Sequence, residues 1–197
     1  MERVLDVACY IYKEFTREMH HKIEEIKLHQ LLYFAQRESF VQTAQPLFEE
    51  EFEGQKCGPV CIPVRKVFRQ GQFENKESFE EIKQNSKDIV QKVLEQYGSK
   101  SSWSLSDIIH FEYSWIQSQK EQGNSLVLLK DIQVDANRIR ERRKALRQKR
   151  TNSGTKPIPI INAAEVEEST ECVDVVAEIK KIQEDLKRRN KGLCSIL

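Results

Sequence analysis

The chain has 197 residues, 39% of them hydrophobic and 32% charged, with a formal net charge of +1. That length suits one domain plus an appendage, and so high a charged fraction allows a single core only if part of the chain stays polar and solvated. The near-neutral balance excludes a generic polyanion binder, and the five cysteines (Cys9, Cys57, Cys61, Cys172 and Cys194) exclude a zinc ribbon or a CxxC redox pair by their spacing.

In chain order, Val4, Ala8, Ile11 and Phe15 recur at steps of four, three and four, one face of a helix over 3–17. A second helix over 22–42 carries Ile26, Leu28, Leu31, Leu32, Ala35 and Phe40. Pro46 and Gly54 bracket a poorly periodic stretch, which allows a short β-pair near 47–53. Gly58-Pro59 reads as a turn, with Gly58 meeting a backbone requirement for positive φ or close approach. Pro63 fits the first turn of the next helix, with Val64, Val67 and Phe68 inward and Gly71 at its stop.

Ser78-Phe79-Glu80-Glu81 has capping-box spacing, which predicts a helix from there, with a break near Asn85-Ser86, on through Ile89, Val90, Val93, Leu94 and Tyr97 to Gly98. Ser104-Leu105-Ser106-Asp107 predicts the cap of another helix, carrying Ile108, Ile109, Trp115 and Ile116. After Gly123-Asn124, Leu128, Ile132, Ala136 and Ile139 begin a helix that runs to about Arg150. Pro157-Ile158-Pro159 then marks an extended linker. Beyond it Val175, Ile179, Ile182 and Leu186 form the stripe of a lone amphipathic helix over about 172–190, which needs a surface to pack on. The expected architecture is all-α: a single helical-bundle domain with at most a short β-pair, followed by a C-terminal linker and amphipathic helix. The boundaries are 1–140 for the domain, 141–164 for the basic helix end and linker, and 165–197 for the acidic helix and basic tail.

Few residues point to chemistry. His110, Glu112 and Trp115 suggest acid–base work, but on a continuous helix His110 and Glu112 face different ways, and a His that caps or packs in the core is the better reading. Cys57 beside a Gly-Pro turn has no local base and reads as a buried or half-buried thiol, not a nucleophile. No catalytic, metal or cofactor residues are assigned, and an enzyme is the weakest reading. Leu31, Leu32 and Ala35 claim the buried face of the second helix, which leaves Tyr33 and Gln36 as candidates for a partner-facing rim or groove.

Charge is segregated. From Arg138 to Arg150, eight cations (Arg138, Arg140, Arg142, Arg143, Lys144, Arg147, Lys149 and Arg150) oppose Glu141 alone, a net +7. Arg140, Arg143, Lys144 and Arg147 are the candidate DNA or RNA contacts on such a helix. Eight acids between Glu165 and Asp185 oppose Lys180 and Lys181, so pairing with the basic helix or plain solvation is favoured over nucleic acid. Cys194-Ser195-Ile196-Leu197 fits a prenylation pattern, with a chance match favoured. No charged-then-apolar leader opens the chain and no eighteen-residue apolar run occurs, so a cytoplasmic protein without membrane association is expected unless Cys194 is prenylated.

Several separated pieces, in order, resemble the Panacea domain family, the SocA-like antitoxin domain. They are an N-terminal helix, then Leu31-Leu32-Tyr33-Phe34-Ala35-Gln36, then Gly58-Pro59-Val60, then His110-Phe111-Glu112-Tyr113-Ser114-Trp115. The resemblance covers roughly residues 1–140 and is that of a divergent member. The family usually carries Gln-Lys where this chain has His29-Gln30, and Trp and an aromatic residue before Gly-Pro-Val where this chain has Gly54-Gln55 and Cys57. The resemblance implies an antitoxin, bacterial or prophage-borne, that binds and neutralises a cognate toxin encoded beside it. It implies no cofactor. A nucleic-acid-associated regulator using residues 138–150 is the alternative.

Overall fold

A computed structural model describes residues 1–74, 79–120 and 125–152, with side chains as far as residue 148. All lie in one unit, Met1–Gly154; the second unit, Thr155–Leu197, is outside the described residues, and with it the expected linker, the Val175, Ile179, Ile182 and Leu186 stripe and Cys194.

The elements in chain order are α1 (Val4–Met19), α2 (Glu25–Thr43), β1 (Phe52–Gln55), β2 (Gly58–Val60) and α3 (Ile62–Arg69). After a 3-10 turn at Gln72–Glu74 come α4 (Gln84–Tyr97), α5 (Ser102–His110), α6 (Tyr113–Ser118), β3 (Leu126–Val127) and α7 (Leu129–Asn152). The fold is mainly α, as the periodicity predicts. The small sheet is the departure: three antiparallel strands in the order β2-β1-β3, with Glu53 opposite Val60 and Phe52 opposite Val127. The strands therefore lie later than 47–53, and Gly58-Pro59-Val60 is a strand rather than a turn. The turn is Lys56-Cys57, because Gln55 pairs with Gly58.

α2 runs through the centre. Every residue from Lys27 to Val41 is buried, and α1, α4, α5, α7 and β2 pack around it. A helix covered on all sides has no solvent face, so the one-stripe reading of its sequence fails there. The core wraps it: Val7 and Ile11 from α1, Val64 from α3, Val90 and Leu94 from α4, Leu105 and Ile109 from α5, and Ile132 and Ala136 from α7. Tyr97 stacks on Phe34 with centroids 4.2 Å apart.

Two predicted helices are shorter than expected. α4 starts at Gln84, not at Ser78, which lies outside the described residues; Phe79 to Lys83 are not helical. Phe79 and Ile82 instead pack from non-helical chain: Phe79 stacks on Phe73 at 5.3 Å, Ile82 is buried, and the Glu80 N–H donates to Asp6 Oδ1 at 3.0 Å. The helix predicted through residue 116 is two helices. Ser101, not Ser104, caps α5 by accepting from the Ser104 N–H at 3.2 Å. Glu112 is extended at φ −74°, ψ 144° and starts α6.

Candidate functional site

The polar side chains of α2 work as spokes, each tying this buried helix to a different neighbour. Gln30 Nε2 donates to the Ser102 carbonyl and Ser106 Oγ, both at 2.9 Å, and to the Cys57 carbonyl at 3.3 Å, so one amide joins α5 to the hairpin tip. Gln36 Nε2 donates to the Phe48 carbonyl at 3.0 Å while its Oε1 accepts from the Leu47 and Phe48 N–H groups at 2.9 and 3.2 Å. Lys27 donates to the carbonyls of Tyr97 and Lys100 behind α4, and burial pushes its ammonium down to about 8. The Gln36 amide and the Lys27 ammonium so engaged escape the cost of burying a bare polar atom, while Gln30 Oε1 is buried without a partner.

Tyr33 and Gln36 are therefore not at a rim or groove; both are fully buried. The Tyr33 hydroxyl shares a 2.8 Å hydrogen bond with Ser114 Oγ, and its ring meets Phe52 edge-on. Leu31 and Leu32 are core, as expected.

A second cluster lies where α2, α4, α6 and α7 meet. Arg37 pairs with Glu112 and donates to the Tyr97 hydroxyl at 2.7 Å. Asp135 of α7 accepts from the N–H groups of Tyr113 and Ser114 at 2.8 and 2.9 Å, capping α6 from another element. Burial, with Asp135 beside it, pushes Glu112 up to about 7 against the pull of Arg37. Burial works to lower the Arg37 pKa, but Glu112 outweighs it and holds the guanidinium protonated. His110 is not part of this cluster. It ends α5, stacks on Trp115 at 4.8 Å and is lowered by burial, so His110 and Glu112 serve different contacts rather than one acid–base pair.

The Gly-Pro-Val strand borders an open cleft of about 390 Å³ between the start of α2, the hairpin and α3. Ile26, His29, Cys57, Pro59 and Arg65 are among its lining residues. Gly58 has φ +127°, a conformation closed to residues with a Cβ, so the expected backbone requirement holds. Cys57 is exposed, a correction to the expected buried thiol: it sits in the two-residue turn. Cys61 is buried and pushed up to about 12. His29 Nδ1 accepts from the Cys61 N–H at 3.4 Å, and burial pushes its imidazole down to about 4, so it is neutral. Arg65 and Arg69 both bind Glu25.

The basic helix divides. Arg140 donates to the carbonyls of Phe40 and Val41, and Arg143 grips Glu38 through both of its terminal nitrogens at 3.0 and 3.1 Å. These two anchor α7 to the end of α2 and face inward, not toward a phosphate. Arg138, Arg142, Lys144 and Arg147 are exposed. Arg138 lies over the Tyr113 ring at 5.0 Å, and Lys144 pairs with Glu141 at 2.8 Å.

Residues 28–116 match the family model described as Antitoxin SocA-like, Panacea domain. This segment is similar to the Panacea domain. No curated protein and no solved structure matches the chain. The Panacea segment begins in α2 and ends inside α6; α1 and α7 lie outside it yet supply core against α2. Gln30, Arg37 and Asp135, which hold the Panacea helices together, were not singled out in the sequence. For Gln30 and Arg37 the signal is the polar residues scattered through α2 where a surface helix would be apolar on that side; Asp135, on α7, has no such signal. Among the described residues no group of three His, Cys, Asp or Glu could hold a metal, and no helix is long and apolar enough to cross a membrane.

Proposed function

We propose that this chain is a cytoplasmic antitoxin that neutralises a toxin encoded beside it by binding it directly, without catalysis. The observation that carries this reading is the match of residues 28–116 to an antitoxin family. Its scaffold is consistent with a binding module: Gln30, Gln36 and Arg37 of α2 donate to the protein's own backbone and side chains.

The extension supplies a second contact in this proposal. Residues 165–197 dock on the toxin through Val175, Ile179, Ile182 and Leu186, as an amphipathic helix seats in a groove. Truncation after Ala164 tests it: unchanged affinity for the toxin rules the extension out as a contact. The nucleic-acid reading is the weaker one, since Arg140 and Arg143 are engaged internally; absence of DNA retardation at low salt removes it.

The test of the main reading is growth on inducing the neighbouring gene with and without this chain. Arrest by the neighbour alone and rescue on co-expression support it. A harmless neighbour, or arrest without rescue, refutes it.

A further inference from the structure

α5 buries Leu105, Ser106 and Ile109, and its opposite face carries two large aromatic residues in solvent. Trp103 is 79% exposed and Phe111, the C-cap, 52%. Neither ring makes an aromatic or cation–π contact among the described residues. Trp103, Asp107 and Phe111 are spaced by four, so they fall on one helical stripe with the carboxylate between the two rings. Asp107 is exposed, acts on the His110 imidazole one turn further on, and forms no ion pair among the described residues. At the start of α5 the Ser102 hydroxyl donates to Glu24 at 3.4 Å. Glu24 also forms no ion pair there.

Nothing in the fold explains this stripe. Single exposed apolar residues are ordinary, but a Trp and a Phe flanking an unpaired carboxylate on one helix face are not. Trp is the residue most enriched at interface hot spots. An unpaired carboxylate between two rings suits a cation, which gains both the charge and the π faces.

We propose that this face of α5 is where the toxin docks, through a segment that presents an arginine or lysine beside an apolar side chain. The inference rests on the antitoxin reading and adds the surface. The cation seats on Asp107 between Trp103 and Phe111, and the apolar neighbour covers Trp103. The substitutions are surface changes on a helix capped by Ser101, so the fold stays intact.

The experiment titrates the purified, activity-silenced product of the neighbouring gene into the full chain and into Trp103→Ala, Asp107→Lys and Asp107→Asn. Far-UV circular dichroism and the thermal midpoint serve as controls. The expected result is a loss of affinity of about 30-fold or more for Trp103→Ala. Asp107→Lys loses about 10-fold or more, largely in association rate at low salt, with Asp107→Asn between it and the parent. Trp103 emission, distinguishable from that of Trp115 by its access to iodide, becomes protected in the complex. Variants that bind like the parent overturn the docking face while leaving the antitoxin reading intact. A parent chain that does not bind removes both. Self-association abolished by Trp103→Ala, or iodide access to Trp103 that rises on deleting residues 155–197, overturns the proposal by showing that a second copy or the chain's own tail covers the face.

Discussion

Arg37, in the middle of α2, and Glu112, at the start of α6, form an ion pair almost wholly out of water. Asp135 stands beside Glu112 with a second carboxylate, and its negative charge adds to burial in raising the Glu112 pKa against the pull of Arg37. Paired buried charges of this kind hold geometry more than they add stability.

The consequence is a pH dependence of stability with a definite sign. The folded Glu112 value, about 7, lies above its ordinary 4.5, so the folded state binds more protons within that window. The contribution is fully present below about pH 4.5 and is lost as pH rises through about 7. Glu112→Gln mimics the protonated form, so this slope disappears. Urea midpoints of parent and variant at pH 5 and pH 8 check it; parallel profiles contradict the coupling.

Glu38 anchors two cations, Arg143 and Lys92, at the other end of α2. Burial works to raise its pKa, but hydrogen bonds from Arg143 and Lys92 hold it below the ordinary value. Glu38→Gln leaves Arg143 and Lys92 without a counter-charge and is expected to cost about 2 kcal/mol, below the fully buried limit because both cations are part-exposed. Hydrogen exchange should accelerate selectively in α7 beyond Arg140. Uniform loss of protection across the domain contradicts a local anchor.

Gly58 and Ala44 are opposite cases of positive φ. Gly58→Ala forces a Cβ into φ +127° and costs roughly 1–3 kcal/mol. Ala44 already carries a Cβ at φ +62° in the left-handed cap of α2, so Ala44→Gly stabilises by up to about 1 kcal/mol. Thermal midpoints moving in opposite directions confirm the pair of assignments.

How far the sequence reveals this molecule depends on the range of the forces involved. α1, α3 and α7 follow from local periodicity, and Pro63 and Gly71 mark the ends of α3 as expected. The break between α5 and α6 does not follow. His110-Phe111-Glu112 contains neither Gly nor Pro, and the bend is fixed by Arg37 and Asp135, distant in sequence. β3 is two residues long and exists by pairing with Phe52 and Glu53. Tyr33 and Gln36 were misplaced because a helix surrounded on all sides shows no empty face. Trp103, the centre of the proposed docking face, is legible only once α5 is known to start at Ser102 and to point it outward.

Cys57 should be the one rapidly reactive thiol of the described residues, because Cys9 and Cys61 are buried. In a Cys172→Ser, Cys194→Ser chain, a thiol reagent under native conditions is expected to modify one cysteine quickly and two only on unfolding. Fast modification of Cys61 contradicts the packing of β2 against α2.

The most direct test of the central claim is binding itself. The full chain and the purified, activity-silenced product of the neighbouring gene are mixed and followed by titration calorimetry. The account predicts a saturable complex whose affinity tracks growth rescue across variants. Rescue without any detectable complex contradicts neutralisation by direct binding.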